Sequence, residues 1–352
     1  MKSSPESSEI KINPETPSKT LSIGGQAVIE GVVMRGPTLL ATAIRRKDQT
    51  IEVKKEKFVS ITKKKKILGI PVLRGFISLI EVLVIGLKTL QFSAERAELD
   101  EQQAKNSDPK NGEFEEGASE KLKLRDKKKE KKKQSMEIFF SLAIAFILAF
   151  VIFTYLPYQI AYLINLSEES VFFNLFTGIV RIIFFVAYVK LISLMKDVRR
   201  IFEYHGAEHK TVFAFENRVH LNPENVDKFT TIHPRCGTSF VFLVLIISIL
   251  VFSILDTIYA FYWGVPALFI RIFYHLLFVP LISGLSYEVL KFSSKKIDSP
   301  LVKILTLPGM LLQKITTQQP DTSQLEVAIV ALESALEIST PEKTSIPYIE
   351  IK

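Results

Sequence analysis

The stretch IFFSLAIAFILAFVIFTYL, residues 138–156, decides the class of this protein, because its 19 residues include no charged side chain. A helix that crosses a bilayer needs about 20 mostly apolar residues. A second uncharged run covers residues 240–255, and its apolar character continues to Trp263. Both runs are therefore predicted to be membrane-spanning helices.

Two further segments have the length of a span but contain charged side chains. Residues 171–194 include Arg181, and residues 267–290 include Arg271. A charge inside a membrane is costly and usually faces a partner within the protein. We expect an ion pair between Asp256 and Arg271, because both lie toward the outer ends of adjacent antiparallel spans. The sequence thus predicts a mainly α membrane protein with a four-span helical bundle.

The orientation of the spans follows from the distribution of Lys and Arg, which is biased toward cytoplasmic loops. Basic clusters lie at residues 121–133, 196–200 and 291–296, whereas the loops 167–170 and 264–266 contain neither Lys nor Arg. Four spans with both termini in the cytoplasm satisfy this pattern. We therefore expect a multi-pass protein of the bacterial cytoplasmic (inner) membrane.

Composition limits the partners of the chain. Its 352 residues are 47% apolar and carry a net charge of +8, much of it in Lys runs beside apolar segments. Juxtamembrane Lys is attracted to anionic headgroups. The chain lacks a basic face interleaved with aromatic residues, so no nucleic-acid partner is predicted and the lipid bilayer is the expected partner. The single cysteine, Cys236, fits a reducing compartment.

Residues 67–92 form a fifth apolar segment, in which Arg74, Glu81 and Lys88 are seven residues apart and share one helical stripe. Both flanks are basic, so a helix with two cytoplasmic ends cannot cross the membrane once. We predict an amphipathic or re-entrant helix with its stripe toward protein or headgroups. The alternative is a fifth span with a polar inner face, in which Glu81 would neutralise Arg181.

The remaining segments complete the predicted domain organisation. Two β-prone runs around the turn Lys47-Asp48-Gln49 predict a hairpin, and Asp321 with Gln324 predicts the capped start of a helix. The predicted order is a disordered tail (1–20), a cytoplasmic β element (21–62), the amphipathic helix (63–93), a charged disordered linker (94–135), the four-span bundle (136–292) with a cytoplasmic His/Cys loop (196–237), a cytoplasmic helical segment (293–340) and a tail (341–352).

The loop at 196–237 holds the residues with the clearest chemistry. His205-Gly206-Ala207-Glu208-His209 is an H-x-x-E-H pattern, and on a helix its two imidazoles share one face with the carboxylate beside them. Two imidazoles so placed can hold a metal while the carboxylate serves as ligand or general base. His233 and Cys236 could complete a tetrahedral site, and zinc is the expected metal.

A plainer interpretation of the same residues stays open. The His and Glu side chains of a polar helix end can simply bond to backbone groups and headgroups. Within the spans, Glu288 lies at the cytoplasmic end of its helix and is the best candidate for a further ligand or an orienting carboxylate.

Four motifs, in order, give a resemblance to a family. They are GGQAVIEGVVMRGP at residues 24–37, YHGAEHK at 204–210, HPRCGT at 233–238, and Thr316-Thr317 with Pro320-Asp321 and EVAI at 326–329. Together they resemble the YqhQ-like bacterial membrane proteins, of unknown function and often described as predicted metal-dependent enzymes. Val33 stands where a second Met is common in that family. The resemblance implies that Gln26, Glu30 and Arg35, in the first motif, approach the same cytoplasmic site.

The sequence therefore favours a metal-dependent hydrolase at the cytoplasmic membrane surface. His205 and His209 would bind the divalent metal, with Cys236 or His233 completing its coordination. Glu208 or Glu30 would accept a proton from water, and Arg35 or Arg235 would stabilise anionic charge. Location alone predicts a lipid or membrane-peptide substrate. The alternative function is a non-catalytic membrane protein in which the His/Cys cluster is a structural metal clip.

Overall fold

A computed structural model describes residues 23–106, 136, 140–141, 143–166, 171–234, 236–295, 299–338 and 346–351. The chain forms two compact units. The sheet unit comprises residues 1–100, 190–244 and 280–352, and the span unit comprises residues 101–189 and 245–279.

One five-stranded sheet lies in the sheet unit. Its strands, in spatial and chain order, are β1 (Gly24–Val28), β2 (Gly31–Arg35), β3 (Leu39–Arg45), β4 (Ile51–Lys57) and β5 (Ile349–Ile351). The first four are antiparallel neighbours, whereas β5 pairs in parallel with β4. The predicted small N-terminal β element and its hairpin at Lys47-Asp48-Gln49 are confirmed. The last strand comes from a segment that the sequence had suggested to be a tail.

The described helices lie between these strands in the chain. They are α1 (Ile61–Lys64), α2 (Leu73–Asn106), α3 (Ala143–Leu163), α4 (Val171–Ile192), α5 (Lys196–Glu216), α6 (Pro223–Asp227), α7 (Gly237–Trp263), α8 (Leu268–Lys295), α9 (Pro300–Thr316) and α10 (Thr322–Leu336). The capping box predicted for Asp321 and Gln324 is present at the start of α10.

Both faces of the sheet are buried. Alternate side chains of a strand point to opposite sides, so one strand can contribute to two separate cores. Val33 and Leu40 pack with Ile85 of α2 on one face. Val32 and Met34 belong to the larger core on the other face, which includes nearly every turn of α10. α10 is almost wholly buried, and its buried residues include the polar Gln324, Glu333 and Ser334. The sheet unit is thus a sheet covered by helices on both faces.

Helix α2 lies against this sheet through polar as well as apolar contacts. The Ser93 hydroxyl accepts a hydrogen bond from the Ile29 N–H at 3.2 Å. Of the predicted polar stripe, Arg74 donates to Glu288 at 2.7 Å, and Glu81 accepts from the Ser60 hydroxyl at 2.8 Å. The stripe therefore faces protein at these two positions. Both carboxylates are thus engaged, and Glu288, which the sequence indicated as a further metal ligand, pairs with Arg74 instead.

α2 continues to Asn106, farther than the predicted boundary at residue 93. An ion pair accounts for the added turns: Arg46, in the β3–β4 hairpin, donates to both carboxylate oxygens of Asp100 at 2.9 and 3.1 Å. This hydrogen bonding holds the pKa of the Asp100 carboxyl below its usual value. A segment whose charged residues predict a solvated linker can therefore be ordered when a cation on another element binds one of its carboxylates.

Four helices, α3, α4, α7 and α8, are long and apolar enough to cross a membrane. In the most apolar stretch of each helix, at most 22% of the residues are buried within the protein. Most of the apolar side chains are therefore exposed, as expected for helices that face lipid. The predicted mainly α membrane protein with four candidate spans is confirmed.

A polar network lies within the span unit. Asp256 is 4% exposed; it accepts hydrogen bonds from the Tyr274 hydroxyl and from His275 Nε2, the latter at 2.8 Å. Arg271 Nε lies 3.6 Å from Asp256 Oδ2, and Arg271 Nη1 donates to the Tyr158 hydroxyl at 2.6 Å. The predicted Asp256–Arg271 pair is therefore present. It belongs to a larger network that connects three apolar helices.

Arg181 lies in the same unit, and its guanidinium is 5.4 Å from the centre of the Tyr158 ring. An aromatic face attracts a cation by its quadrupole. The buried charge that sequence reasoning assigned to a carboxylate thus has an aromatic neighbour.

Candidate metal centre

The H-x-x-E-H pattern lies in the buried second half of α5. Tyr204 and Ala207 point into the core of the sheet unit and are both 0% exposed. His205 and His209 are one turn apart, with ring centroids separated by 4.5 Å. Burial of the Tyr204–Ala207 side therefore orients both imidazoles to one common face of the helix.

Gly206, between the two histidines, allows the chain after α9 to cross α5 closely. A Cβ at this position would lie 2.0 Å from the Gln318 carbonyl oxygen, so only glycine fits. The Gln318 N–H donates to the Phe202 carbonyl at 2.8 Å, which fixes the crossing. As a result, the Thr316 carbonyl lies 2.8 Å from His205 Nδ1 and can accept a hydrogen bond from its N–H.

His209 is held in the same way by a different segment. Its Nδ1 lies 2.5 Å from the Thr231 carbonyl oxygen, which can only accept a hydrogen bond. Its Nε2 is buried and makes no hydrogen bond within the described part of the chain. When Nδ1 of a neutral imidazole carries the proton, Nε2 offers a lone pair. Both His205 and His209 therefore present Nε2 as a potential ligand atom.

Cys236 supplies the third potential ligand, immediately before the start of α7. Its Sγ lies 3.2 Å from His205 Nε2. The Thr238 N–H donates to the same sulfur at 3.4 Å, at a helix N-terminus, where the dipole favours negative charge. The ligand atoms of His205, His209 and Cys236 all lie within 4.8 Å of one another. Zinc–nitrogen bonds of about 2.0–2.1 Å and zinc–sulfur bonds of about 2.3 Å require ligand separations of about 3–4 Å.

Glu208 lies beside this group of three. It is 5% exposed, and its Oε2 is 3.5 Å from His209 Nε2. Gly25 of β1 makes room for it, since a Cβ there would lie 2.8 Å from Glu208 Cγ. The glycine-rich segment of the first motif thus contacts Glu208 closely, because Gly25 has no side chain.

His233 lies next to the cluster, outside the group of three. Its ring centroid is 5.7 Å from that of His209, and its Nε2 is 3.6 Å from a carboxylate oxygen of Glu216. Gln313 of α9 holds its backbone from both sides, accepting from the His233 N–H at 2.8 Å and donating to its carbonyl at 2.9 Å. Of the two candidates for the third ligand, the structure brings Cys236 to the imidazoles.

Glu30 reaches α5 at a neighbouring position. It occupies the β1–β2 turn with φ of 53° and forms an ion pair with Arg200, in which Arg200 Nη2 donates at 2.6 Å. The Tyr204 hydroxyl donates to it at 3.4 Å. Burial and the Glu30 carboxylate both raise the pKa of the Tyr204 phenol above its usual value. Among the residues that the structure describes, the group of potential metal ligands consists of His205, His209 and Cys236, and Glu30 is outside it.

The two predicted arginines have different outcomes. The Arg35 guanidinium lies 4.3 Å from the centre of the Phe58 ring, and burial lowers the pKa of Arg35 below its usual value. Its neighbouring charge is Glu81 rather than the His/Cys cluster. Arg235 lies outside the described residues.

With the geometry established, comparisons with known proteins identify the family. A family model described as "Protein of unknown function (DUF1385)" matches residues 70–338, more than half of the chain. The chain belongs to this family. The match includes His205, His209 and Cys236 but not the β1–β2 hairpin.

A relative of the chain is the "Uncharacterized protein YqhQ" of Bacillus subtilis (strain 168), which is 32% identical over 325 residues. The alignment covers 90% of this chain and 92% of the relative. The resemblance seen in the sequence motifs is thereby confirmed. No solved structure matches the chain. Neither description names an activity.

Sequence reasoning missed the groups that orient the candidate ligand side chains and the neighbouring His233. They are the carbonyls of Thr231 and Thr316, the N–H of Thr238 and, for His233, the amide of Gln313. Thr316 belongs to the fourth motif of the family resemblance, which marked this position as a candidate for a role at the site. A backbone carbonyl has no residue signature, however, and its role is visible only in the fold.

Proposed function

We propose that this chain is a membrane-embedded, metal-dependent hydrolase whose divalent metal, zinc, is bound by His205, His209 and Cys236. The observation that carries the proposal is the convergence of two imidazole nitrogens and one thiol sulfur within 4.8 Å. These ligands come from α5 and from the residue before α7, which are joined by a loop. His205 and Cys236 are 31 residues apart in the chain, so the fold rather than local sequence brings them together.

The surroundings of the histidines fit metal ligation. Histidines that bind metals almost always donate their other ring N–H to a carbonyl or a carboxylate, which fixes the tautomer and the orientation. His205 and His209 have this arrangement with the carbonyls of Thr316 and Thr231. The buried His209 Nε2 makes no hydrogen bond in the described chain, and burying such a group without compensation is unfavourable. A metal at this position would satisfy it.

Three protein ligands with a fourth position left for water are typical of catalytic zinc sites, whereas structural sites have four protein ligands. Bound zinc lowers the pKa of its water to about 7 and polarises carbonyl or phosphoryl groups. Glu208, whose Oε2 lies 3.5 Å from His209 Nε2, would accept the proton of such a water. Glu30 is neutralised by Arg200, so the proposal assigns the general base to Glu208. Arg235 remains the proposed anion stabiliser.

The second candidate function is a structural metal clip in a non-catalytic membrane protein. The observation in its favour is the same Glu208 carboxylate, which could become a fourth ligand and close the coordination shell. A clip would fasten the loop of residues 217–236 to α5. The choice between hydrolase and clip therefore depends on whether Glu208 binds the metal or a water molecule.

Metal analysis of the purified full-length chain tests the proposal. We expect one zinc per chain, and we expect His205→Ala and Cys236→Ala each to remove it. His220→Ala is the matched control, because His220 is exposed and lies on the same loop. A chain free of metal whose Cys236 alkylates readily would contradict the metal site and would indicate a thiol–imidazole pair instead.

The Glu208→Gln variant separates the two functions. Under the hydrolase proposal it keeps the metal at wild-type affinity, because glutamine is isosteric and the carboxylate is not a ligand. Under the clip proposal the metal affinity falls, since the amide is a much poorer ligand. The readout is the zinc dissociation constant by competition with a chromophoric chelator.

The proposed location is the cytoplasmic surface of a bacterial membrane, with both termini in the cytoplasm and a lipid or membrane-peptide substrate. The lack of Lys and Arg in residues 167–170 and 264–266 supports this orientation. In a Cys236→Ala background, a cysteine introduced by Ser167→Cys should react with an impermeant maleimide in intact cells. Reaction only after permeabilisation would reverse the proposed orientation.

A further inference from the structure

Helix α9 has one buried face and a second, apolar face that nothing in the described chain covers. The buried face includes Val302, Gly309, Leu312, Gln313 and Thr316. On the other side, Leu301 is 61% exposed, Ile304 67%, Leu307 48% and Leu311 49%. These four residues follow each other at intervals of three or four, so they form one continuous stripe. A contiguous apolar stripe of this kind marks an interaction surface.

The depth of α9 follows from its contact with a candidate span. A Cβ at Gly309 would lie 2.7 Å from Ser239 Cα, and Gln313 Nε2 donates to Ser239 Oγ at 3.0 Å. Ser239 is in the first turn of α7, which has 27 residues. A helix of that length measures about 40 Å, whereas the hydrocarbon core is about 30 Å thick. The first turn of α7, and α9 packed on it, therefore belong at the level of the headgroups.

The charges of α9 fit the same level. The only charged residues of this helix are Lys303 and Lys314, and it contains no acidic residue. The two lysines are eleven residues apart, which places them on one side of the helix, and both are exposed. Their side chains flank the apolar stripe, and a lysine beside a lipid-facing stripe extends its amine to the phosphates. Anionic lipids match this charge.

We propose that α9 lies in the headgroup layer of an anionic bilayer, with its Leu301–Ile304–Leu307–Leu311 stripe inserted among the acyl chains. An amphipathic helix with these properties binds a membrane in the plane of the interface. This inference does not depend on a bound metal. The sequence predicts that residues 293–340 form a cytoplasmic segment. For α9, which lies within that range, we propose contact with the headgroup layer instead.

The last turn of α9 also holds the candidate metal centre. The Thr316 carbonyl orients His205, and Gln313 fixes the backbone of His233. The cluster is thus positioned by a helix that contacts lipid. If the proposed hydrolase is correct, its substrate is a lipid whose headgroup lies at this level, and that extension rests on the proposed function.

The test is depth-dependent fluorescence quenching in vesicles of equal parts phosphatidylcholine and phosphatidylglycerol. The chain has one tryptophan, Trp263, so a Trp263→Phe background with Leu307→Trp gives a single reporter on the stripe. We expect lipids brominated near the headgroup to quench this indole several-fold more than lipids brominated at the chain ends. Lys228→Trp, at an exposed position on the α6 side, is the control and should respond to aqueous iodide but not to brominated lipid.

Three results would overturn the inference. Quenching of the Leu307→Trp indole by iodide alone would place α9 in water, and stronger quenching by deep bromines would make it a span. Protection from both quenchers together with a dimeric mass would mean that a second copy of the chain covers the stripe. Chelating zinc before the measurement should leave the quenching unchanged, so failure of this inference is distinguishable from failure of the metal site.

Discussion

Gly206→Ala is expected to lower the metal affinity of the proposed zinc site by about 10–100-fold, the usual effect of disturbing the groups that orient metal ligands. The new Cβ would lie 2.0 Å from the Gln318 carbonyl oxygen, which belongs to the backbone and cannot rotate away. The segment after α9 must then retreat by roughly 1 Å or more. Such a shift removes the Thr316 carbonyl from His205 Nδ1, and the imidazole loses its fixed tautomer and orientation.

The same variant should lose stability, although alanine is the better helix former. The helix preference gains about 1 kcal/mol, whereas overpacking costs about 1–3 kcal/mol and more when backbone is struck. Thermal unfolding of the metal-free chain measures this net loss. Gly24→Ala is the control, because a Cβ at Gly24 meets nothing within 4 Å. Wild-type zinc affinity in Gly206→Ala would show that the crossing does not position His205.

Asp256→Leu is expected to destabilise the folded protein by about 3–5 kcal/mol, the usual cost of removing one partner of a buried ion pair. Asp256 accepts hydrogen bonds from Tyr274 and His275 and lies 3.6 Å from Arg271. Leucine deletes the shared acceptor and leaves the Arg271 guanidinium, 7% exposed, without its carboxylate. Denaturation in detergent micelles, followed by circular dichroism, measures the loss.

Ser253→Ala is the matched control for this variant. Ser253 is on the same helix, is 3% exposed, and has a buried hydroxyl without a hydrogen-bond partner in the described chain. Removing an unsatisfied polar group is nearly neutral or stabilising. Adding Arg271→Met to Asp256→Leu should restore part of the stability, since an apolar pair can replace a buried ion pair. A neutral Asp256→Leu would mean that the network adds nothing to stability. A destabilised Asp256→Leu without rescue would mean that the loss does not come from the remaining Arg271 charge.

Some features could be predicted because they depend on residues close together in the chain. Spans α3 and α7 follow from uninterrupted apolar length, and the β3–β4 hairpin follows from two β-prone runs around a polar turn. The face shared by His205 and His209 follows from the helical repeat of 3.6 residues. In each case the determining interactions are local, so pattern and spacing are sufficient.

Other features were misjudged because a distant group decides them. The charged residues after position 93 indicated a solvated linker, but Arg46 orders α2 as far as Asn106 through its bond to Asp100. Glu288 is a candidate ligand by its position in the sequence, but in the structure it pairs with Arg74. The electrostatic partner of a charge can be any residue that folding brings near, and a single sequence does not identify it.

The sequence by itself determined the membrane class, the four spans and the types of side chain available for a metal, because these depend on composition and short-range periodicity. Only the tertiary structure decided which of these side chains meet. Cys236 joins His205 and His209, and His233 does not, because Gly206 lets the Thr316–Gln318 segment cross α5 while Gln313 holds His233 aside. The Thr316 carbonyl is 111 residues from His205 along the chain. Bringing together two groups so far apart in the chain costs conformational entropy, and the packed core offsets this cost. Residues from many parts of the chain contribute to that core at once.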